Sequence, residues 1–229
     1  MFARHDLVWL SARGWEQVLA AVPHAQVGAL DAWSRAGWPA VVRRDEVTQT
    51  ADRLAVGFAL PPRPADGLKV RVAGSVAIAD VERHAAPLPL LAAMDTVPER
   101  WRAGLAALEQ EATAHGFVLG AYGSVALQAI TGQAYLKESS DIDLLLRPLN
   151  EAHLRDGLAL LARHAVLLPL DGEIVFPDGR AVAWKELHAA MDGTSSALGT
   201  RVLAKAMDRI ALVRLDELLA SLEEAACPN

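Results

Sequence analysis

The segment 120-GAYGSVALQAITGQAYLKESSDIDLLL-146 carries the pattern that indicates how the second half of the chain folds. Near its end, Asp141 and Asp143 alternate with apolar residues inside one of the most apolar runs of the sequence. On a β-strand, residues two apart point to the same face, so both carboxylates project side by side, with Ile142 on the opposite face. Two like charges at that spacing repel each other and are costly to bury without partners.

Such a pair is stable if it stays in water or if a cation lies between the carboxylates. Magnesium prefers oxygen ligands and is commonly held by one or two carboxylates together with substrate phosphates. Asp141 and Asp143 are therefore candidate magnesium ligands. The alternative is the solvated start of an edge strand, and a D-x-D pattern alone does not separate the two interpretations.

A glycine-rich turn precedes the two aspartates in the same segment. Gly120, Gly123 and Ser124 lie between a predicted strand, FVLGAY, and a predicted helix, SVALQAIT. A turn at a helix start exposes backbone N–H groups and the positive end of the helix dipole, which suit a phosphate group. The pattern is neither a P-loop nor a nucleophile elbow. An ordinary strand-to-helix turn capped by serine is the alternative.

The remainder of the chain predicts two domains, 1–95 and 96–229. The first is α+β and rich in short strands, and residues 85–98, which include three prolines, predict a linker. The second alternates helices and strands, with Thr96 and Asn150 as predicted helix caps, and this order predicts an α/β layout with a mixed sheet. Two helices, over 201–211 and 215–225, are predicted to close the chain.

Composition limits the classes of function. The chain has 229 residues, is 52% hydrophobic and carries a net charge of −6, which favours a folded protein and argues against a nucleic-acid binder. Its single cysteine, Cys227, permits no internal disulfide and fits a reducing compartment. No apolar run approaches the ~20 residues that a membrane helix needs. We therefore expect a cytoplasmic protein with no membrane partner.

The turn and the aspartates together resemble the nucleotidyltransferase superfamily, which has the polymerase-β-like fold. The pattern here is YGS, sixteen residues, then DIDL. The resemblance implies that Gly123 and Ser124 bind a triphosphate. It also implies that Asp141 and Asp143 hold Mg²⁺ for attack on the α-phosphorus, with pyrophosphate as the leaving group. The spacer is longer than in compact members, so an extra turn or strand extension is expected.

Members of that superfamily usually take a third carboxylate from a later strand. Glu173 in LDGEIVF is the first candidate and Asp171 is the second, although either could be a turn acid or an exposed strand residue. Lys185 and Lys205 could balance phosphate charge, and each could equally be a surface lysine. The sequence leaves these assignments open.

The whole chain is similar to a narrower group, the phosphoribosyl-dephospho-CoA transferases (the MdcG family), which are holo-acyl-carrier-protein synthases of malonate decarboxylase. The matching segments are RHDLVWL, GWPAVVRR, PLPLLA, the segment quoted above and LDGEIVFPDGRAVAWKE. The resemblance implies an enzyme that transfers phosphoribosyl-dephospho-CoA from 2′-(5″-triphosphoribosyl)-3′-dephospho-CoA to a serine of the acyl carrier protein subunit, with release of pyrophosphate.

A donor of this kind carries a second diphosphate, which calls for further cations. Arg43, Arg44, Lys69 and Arg71 lie in strand-like segments of the first domain and could line a substrate groove, or they could be scattered solvated residues. The polar cluster of Arg4, His5 and Asp6 could bind substrate or lie at a domain interface, or it could form a structural ion pair or cap. Two other functions remain open: an ATP-dependent adenylyltransferase, and a non-catalytic protein that kept the fold.

Overall fold

The computed structural model describes residues 2–44, 52–63, 65–192 and 199–226, and the side chains of 224–226 are not described. Cys227 lies outside the described residues. The chain forms two compact units. Unit 1 comprises Met1–Pro87, Ile130–Tyr135 and Met207–Arg209. Unit 2 comprises Leu88–Ala129, Leu136–Ala206 and Ile210–Asn229.

Unit 1 contains an antiparallel sheet with the strand order β4-β3-β2-β1-β5. Its strands are β1 (Leu7–Leu10), β2 (Ala40–Val42), β3 (Arg53–Ala59), β4 (Arg71–Ala77) and β5 (Val81–Ala85). Its helices are α1 (Ala12–Ala21) and α2 (His24–Arg35). Trp15, Trp33 and Phe58 form an aromatic group in the core, with ring centroids 5.3 to 6.0 Å apart. The aromatic contacts hold the two helices against the sheet.

Unit 2 contains a mixed sheet with the strand order β12-β11-β10-β9-β8-β7-β6. Its strands are β6 (Leu88–Pro89), β7 (Gly120–Ala121), β8 (Ile142–Leu146), β9 (Leu170–Val175), β10 (Ala181–Ala183), β11 (Arg201–Lys205) and β12 (Ile210–Arg214). The helices of this part are α3 (Leu90–Ala93), α4 (Glu99–Ala114), α5 (Gly123–Thr131), α6 (Glu151–His164), α7 (Trp184–Asp192) and α8 (Leu215–Ala226). β8 and β9 are parallel, whereas the other pairs are antiparallel. The chain is therefore α+β with a mixed sheet, as predicted.

The two faces of the unit 2 sheet differ in chemistry. Ile142, Ile174 and Val202 point to one face and are buried in the core with the helices. Because side chains alternate along a strand, their neighbours Asp143 and Glu173 point to the other face. We call this second face, which carries Asp143, Asp171, Glu173 and Lys205, the site face.

Three local predictions are wrong. Residues 85–98 do not form an irregular linker, because β6, α3 and a 3₁₀ turn lie there. Residues 201–211 do not form a helix: they form β11 and the start of β12, because alternate residues such as Val202 and Ala204 are buried in the core. Thr96 does not cap α4, since Pro98 precedes its first residue. The Asn150 cap is confirmed, and its side chain accepts the His153 N–H.

The long spacer before Asp141 has a structural explanation. Residues 130–135, which are the last two residues of α5 and the four that follow it, belong to unit 1. Tyr135 is buried there, and its hydroxyl donates to the Ala59 carbonyl at 2.8 Å. Burial raises the pKa of Tyr135 above its ordinary value, so the phenol stays neutral and remains a donor. The additional residues of the spacer therefore anchor this part of the chain.

No helix in the described parts of the chain is both long enough and apolar enough to cross a bilayer.

Glu109→Gln is expected to stabilise the protein at neutral pH. Within the described residues, Glu109 Oε2 on α4 is buried without a hydrogen-bond partner, and desolvation raises the pKa of the carboxyl group. Because the pKa of Glu109 is raised in the folded state, the folded protein takes up this proton more readily than the unfolded chain does. The cost of desolvating the charged carboxylate therefore disappears as the pH falls through that pKa. The thermal midpoint at pH 7 should rise by about 1–2 °C, because the carboxyl group is only partly buried.

The measurement is the thermal midpoint of both proteins between pH 7 and about pH 4, close to the ordinary glutamate pKa. The gain should shrink in acid. Glu223→Gln, at an exposed position of α8, serves as the control and should leave the midpoint unchanged. A gain independent of pH would contradict the desolvation argument.

Candidate active site

The glycine turn and the D-x-D strand touch each other. Gly123 has φ of +63°, a conformation that favours glycine, and an added Cβ would overlap the Asp143 carboxylate. The Tyr122 N–H donates to the Asp143 carbonyl at 3.1 Å. The short strand β7 also pairs with β8, with Ala121 opposite Leu144. The turn and the aspartates therefore form one local site, in which glycine is required at 123.

The two aspartates occupy different positions at the start of β8. Asp141 is exposed and precedes the first strand residue, whereas Asp143 is half-buried within the strand. A turn immediately before them is closed by the Ser140 N–H, which donates to the Lys137 carbonyl at 3.1 Å. Ser124 is half-buried in the first turn of α5. Asp141 therefore lies at the exposed start of β8, and Asp143 is accessible to solvent in part.

The parallel strand β9 brings two further acids to the site face. In the register, Asp171 lies beside Asp143 and Glu173 lies beside Leu145. Asp171 is exposed in part, and the Lys185 Nζ lies 3.8 Å from its Oδ1. Glu173 is only 4% exposed, and the Lys205 Nζ donates to its Oε1 at 2.8 Å. Each predicted lysine is therefore paired with one of the two predicted third carboxylates.

Gly172 explains how β9 can lie so close to β8. Its φ is +135°, and a Cβ at this position would overlap the backbone of Leu144. A glycine inside a strand is a sequence signal for close backbone approach. Sequence reasoning identified the acids on either side of Gly172 but did not identify this role. The glycine sets the separation that places Asp171 beside Asp143.

The chemistry of the donor set suits a divalent cation. Asp141 and Asp143 supply carboxylate oxygens at the start of β8, and the Asp143 carboxylate lies where a side chain at position 123 would otherwise be. Lysine ammonium groups lie at Asp171 and Glu173, so the charge of those two carboxylates is already offset in part. Among the described residues, however, no group of three or more His, Cys, Asp or Glu side chains is arranged to hold a metal ion. The residues therefore fit a magnesium ion that takes its other ligands from substrate phosphates.

The predicted cations of the first domain all lie in unit 1. Arg43 is exposed just after β2, and its N–H donates to the Ala55 carbonyl at 3.0 Å. Arg44 is half-buried beside it, Lys69 precedes β4, and Arg71 begins β4. Their part in binding substrate stays a prediction.

The cluster at 4–6 has a structural role that the sequence left open. Asp6 is buried and accepts the Ala3 N–H at 2.8 Å. The His84 Nε2 lies 2.6 Å from the same carboxylate oxygen of Asp6. His5 has φ of +70°, a conformation uncommon for residues other than glycine. These contacts support a structural role for Asp6 and leave a binding role for the cluster as a prediction.

Lys205→Met is expected to destabilise the protein by about 2 kcal/mol, because it leaves the buried Glu173 carboxylate without its ammonium partner. The cost is smaller than for a fully buried pair, since Lys205 is partly exposed. The double variant Lys205→Met/Glu173→Met should recover most of the loss. Urea unfolding of the full chain measures both effects.

Lys185→Met is the matched control. Its ion pair with Asp171 is longer and exposed, so the expected change is below about 0.5 kcal/mol. Equal losses for Lys205→Met and Lys185→Met would show that burial of Glu173 does not govern this pair.

Comparison with known proteins adds an independent finding. The family model described as "Phosphoribosyl-dephospho-CoA transferase MdcG N-terminal domain" matches residues 3–87, and the corresponding C-terminal model matches 89–216. A protein named phosphoribosyl-dephospho-CoA transferase from Xanthomonas campestris pv. campestris (strain 8004) is 39% identical over 188 residues, which cover 81% of this chain and 85% of that protein. One of the same name from Bradyrhizobium diazoefficiens is 33% identical over 213 residues, which cover 92% and 89%. No solved structure matches the chain.

Proposed function

Since this chain belongs to the phosphoribosyl-dephospho-CoA transferase family, we propose that it takes 2′-(5″-triphosphoribosyl)-3′-dephospho-CoA as donor and a serine of the malonate decarboxylase acyl carrier protein as acceptor. The reaction forms a phosphodiester on the carrier and releases pyrophosphate. In this proposal, unit 2 is a nucleotidyltransferase catalytic domain with a polymerase-β-like fold, and unit 1 binds substrate or carrier protein. The single cysteine is consistent with a cytoplasmic location for this enzyme.

One observation carries the proposal: the contact between Gly123 and Asp143. It joins a phosphate-binding turn at the start of α5 to a carboxylate of the D-x-D strand. A triphosphate held by backbone N–H groups at the helix start therefore lies next to the acids. This arrangement suits displacement at phosphorus, where positioning and charge stabilisation supply most of the catalysis.

The bonding changes are those of a phosphoryl substitution. The serine oxygen of the carrier forms a bond to the α-phosphorus, and the bond from that phosphorus to the bridging oxygen of the pyrophosphate breaks. Pyrophosphate leaves with the electron pair, and the serine proton passes to a carboxylate or to water. A magnesium ion held by Asp141 and Asp143 would offset the negative charge that develops on the phosphate oxygens. Gly123 and Ser124 hold the phosphates in place.

The remaining candidates receive roles from their geometry. Asp171 lies beside Asp143 in the strand register and is the more accessible of the two possible third carboxylates. Glu173 remains a candidate that would have to separate from Lys205 before it could bind a metal. Lys185 and Lys205 would then be available for the phosphates of the donor. Comparing Asp171→Asn with Glu173→Gln in the transfer assay shows which of the two acids serves as the third carboxylate.

The experiment that tests the proposal is direct. The protein is incubated with Mg²⁺, the apo carrier protein and either the triphosphoribosyl donor or ATP, and the carrier is then analysed by intact mass spectrometry. A phosphoribosyl-dephospho-CoA adduct on the carrier serine is expected in the reaction with the triphosphoribosyl donor, and no adduct is expected in the reaction with ATP. An AMP adduct in the ATP reaction, with no adduct from the donor, would overturn the proposal in favour of an adenylyltransferase. No adduct from either would favour a non-catalytic protein.

A further inference from the structure

The hairpin of β11 and β12 presents a distinctive surface on the site face. Register pairs place Arg201 opposite Arg214, Leu203 opposite Leu212 and Lys205 opposite Ile210. Because paired residues share a face, all six side chains point to the same side of the sheet. We call these six residues the hairpin patch.

The apolar members of the hairpin patch are unusually exposed. Leu203 is 38% exposed, Ile210 is 42% exposed and Leu212 is 60% exposed. Val202 and Ala204, which alternate with the patch residues on β11, are buried in the core. The exposure is therefore a property of one face of the hairpin, and adjoining exposed apolar residues mark interaction surfaces. Among the described strands, β12 is at the end of the sheet, so a partner can reach the patch from the edge as well.

The charge of the hairpin patch is opposite to that of the whole chain. Its three polar members, Arg201, Lys205 and Arg214, are all basic, whereas the chain has a net charge of −6. Asp216 and Glu173 pair with Arg214 and Lys205 from neighbouring elements, and Glu186 accepts the Leu203 N–H at 2.8 Å, so Arg201 is the patch cation that lies outside these ion pairs. A surface that mixes exposed leucine and isoleucine with arginine is complementary to a partner surface that mixes apolar and acidic residues.

The hairpin patch is continuous with the candidate active site. Lys205 belongs to the patch and donates to Glu173, which shares the site face with Asp143. β11 is the third strand from β8 in the sheet, and strands lie about 4.8 Å apart, so the patch begins roughly 15 Å from Asp143. A helix of about ten residues spans that distance. A protein that places a serine beside Asp143 can therefore rest on the patch.

We propose that the hairpin patch is the docking surface for the protein acceptor and binds an acidic and apolar surface beside its reactive serine. The inference rests on the proposed function, because only a protein acceptor needs a surface beyond the phosphate and metal residues. Docking at the patch raises the local concentration of the serine and does not take part in the chemistry. Substitution of Leu212 or Arg201, which lie outside the proposed phosphate and metal residues, therefore changes the KM for the carrier and leaves kcat nearly unchanged.

Leu212→Asp tests the apolar contact. It places a carboxylate on the most exposed apolar residue of the patch, where folding is little affected. The KM for the apo carrier should rise about tenfold, which corresponds to about 1.4 kcal/mol of binding. The kcat should change by less than about twofold, and the Kd of the triphosphoribosyl donor, measured by calorimetry with Mg²⁺, should be unchanged. Leu167→Asp, at an exposed apolar residue of the α6–β9 loop, is the matched control and should leave all three constants unchanged.

Arg201→Glu tests the charge. It should raise the carrier KM by a similar factor and weaken the dependence of that KM on ionic strength, because long-range attraction is screened by salt. If both variants show the same KM for the carrier as the wild-type enzyme, the docking proposal is overturned while the proposed function stays intact. Absence of transfer by the wild-type protein would instead show that the proposed function itself is wrong.

Sedimentation of the wild type and of Leu212→Asp tests a different occupant of the hairpin patch, namely a second copy of this chain. A wild-type dimer that becomes monomeric in Leu212→Asp, with the carrier KM unchanged, would assign the hairpin patch to contact between two copies of the chain. That result would also overturn the proposal.

Discussion

Asp143→Asn should reduce transfer to the carrier protein by about a thousandfold, the scale typical for loss of a group that stabilises transition-state charge. Asp143 is the carboxylate that contacts the glycine turn, so it is the one nearest to a bound triphosphate. The amide keeps the shape of the side chain but removes its negative charge, and with it the capacity to hold a cation. Transfer rate by mass spectrometry is the measurement, and Asp141→Asn should have a similar effect.

Stability provides the second readout for the same variant. Asp141 and Asp143 repel each other along one strand face, so removing one charge should leave the thermal midpoint equal or higher. Asp156→Asn, at an exposed position of α6, is the control for an amide substitution and should retain full activity. Full transfer activity in both Asp141→Asn and Asp143→Asn would contradict the assignment of the metal and phosphate site.

Gly172→Ala should reduce the free energy of unfolding by about 3–5 kcal/mol, which combines a strained backbone conformation with overpacking. The φ of +135° is available essentially to glycine alone, and the new methyl group would overlap the Leu144 backbone. β9 would have to move away from β8 or lose its register. Asp171 would then no longer lie beside Asp143, so activity should fall together with stability. Urea unfolding of the full chain measures the loss.

Gly116→Ala separates the two causes. Gly116 also has a positive φ, of +76°, but an added Cβ would meet no atom within 4 Å. This control should therefore cost only about 1 kcal/mol, the backbone contribution by itself. Similar losses for Gly172→Ala and Gly116→Ala would show that contact between β8 and β9 is looser than the structure indicates.

Features with local sequence signals were predicted well. The Asn150 cap and the strand bearing D-x-D depend on neighbouring residues, and the structure confirms both of them. The hairpin at 201–214 was not predicted, because a short apolar run fits a helix and a strand equally well until the core decides between them. Its alternating burial becomes visible only when Val202 and Ala204 are seen in the core.

The candidate site shows the same division between local and long-range information. The motif predicted that the turn and the aspartates act together, and the Gly123 contact agrees with that arrangement. The pairing of Lys205 with Glu173 joins residues from strands that are not consecutive in sequence. Register of that kind depends on strand order, which one sequence does not reveal. The sequence therefore identified candidate residues for this region but could not assign their partners.

The discontinuity of unit 1 has a consequence for how the protein is made. Residues 130–135 and 207–209 belong to unit 1, although they follow much of unit 2 in the chain. During synthesis the first 87 residues leave the ribosome without Tyr135, whose hydroxyl is the donor to Ala59. The nascent N-terminal unit thus waits for later chain before its last contacts can form. A gene cut after residue 87, where the two family models meet, would separate unit 1 from two of its own segments. That point is therefore not a safe place to divide the coding sequence.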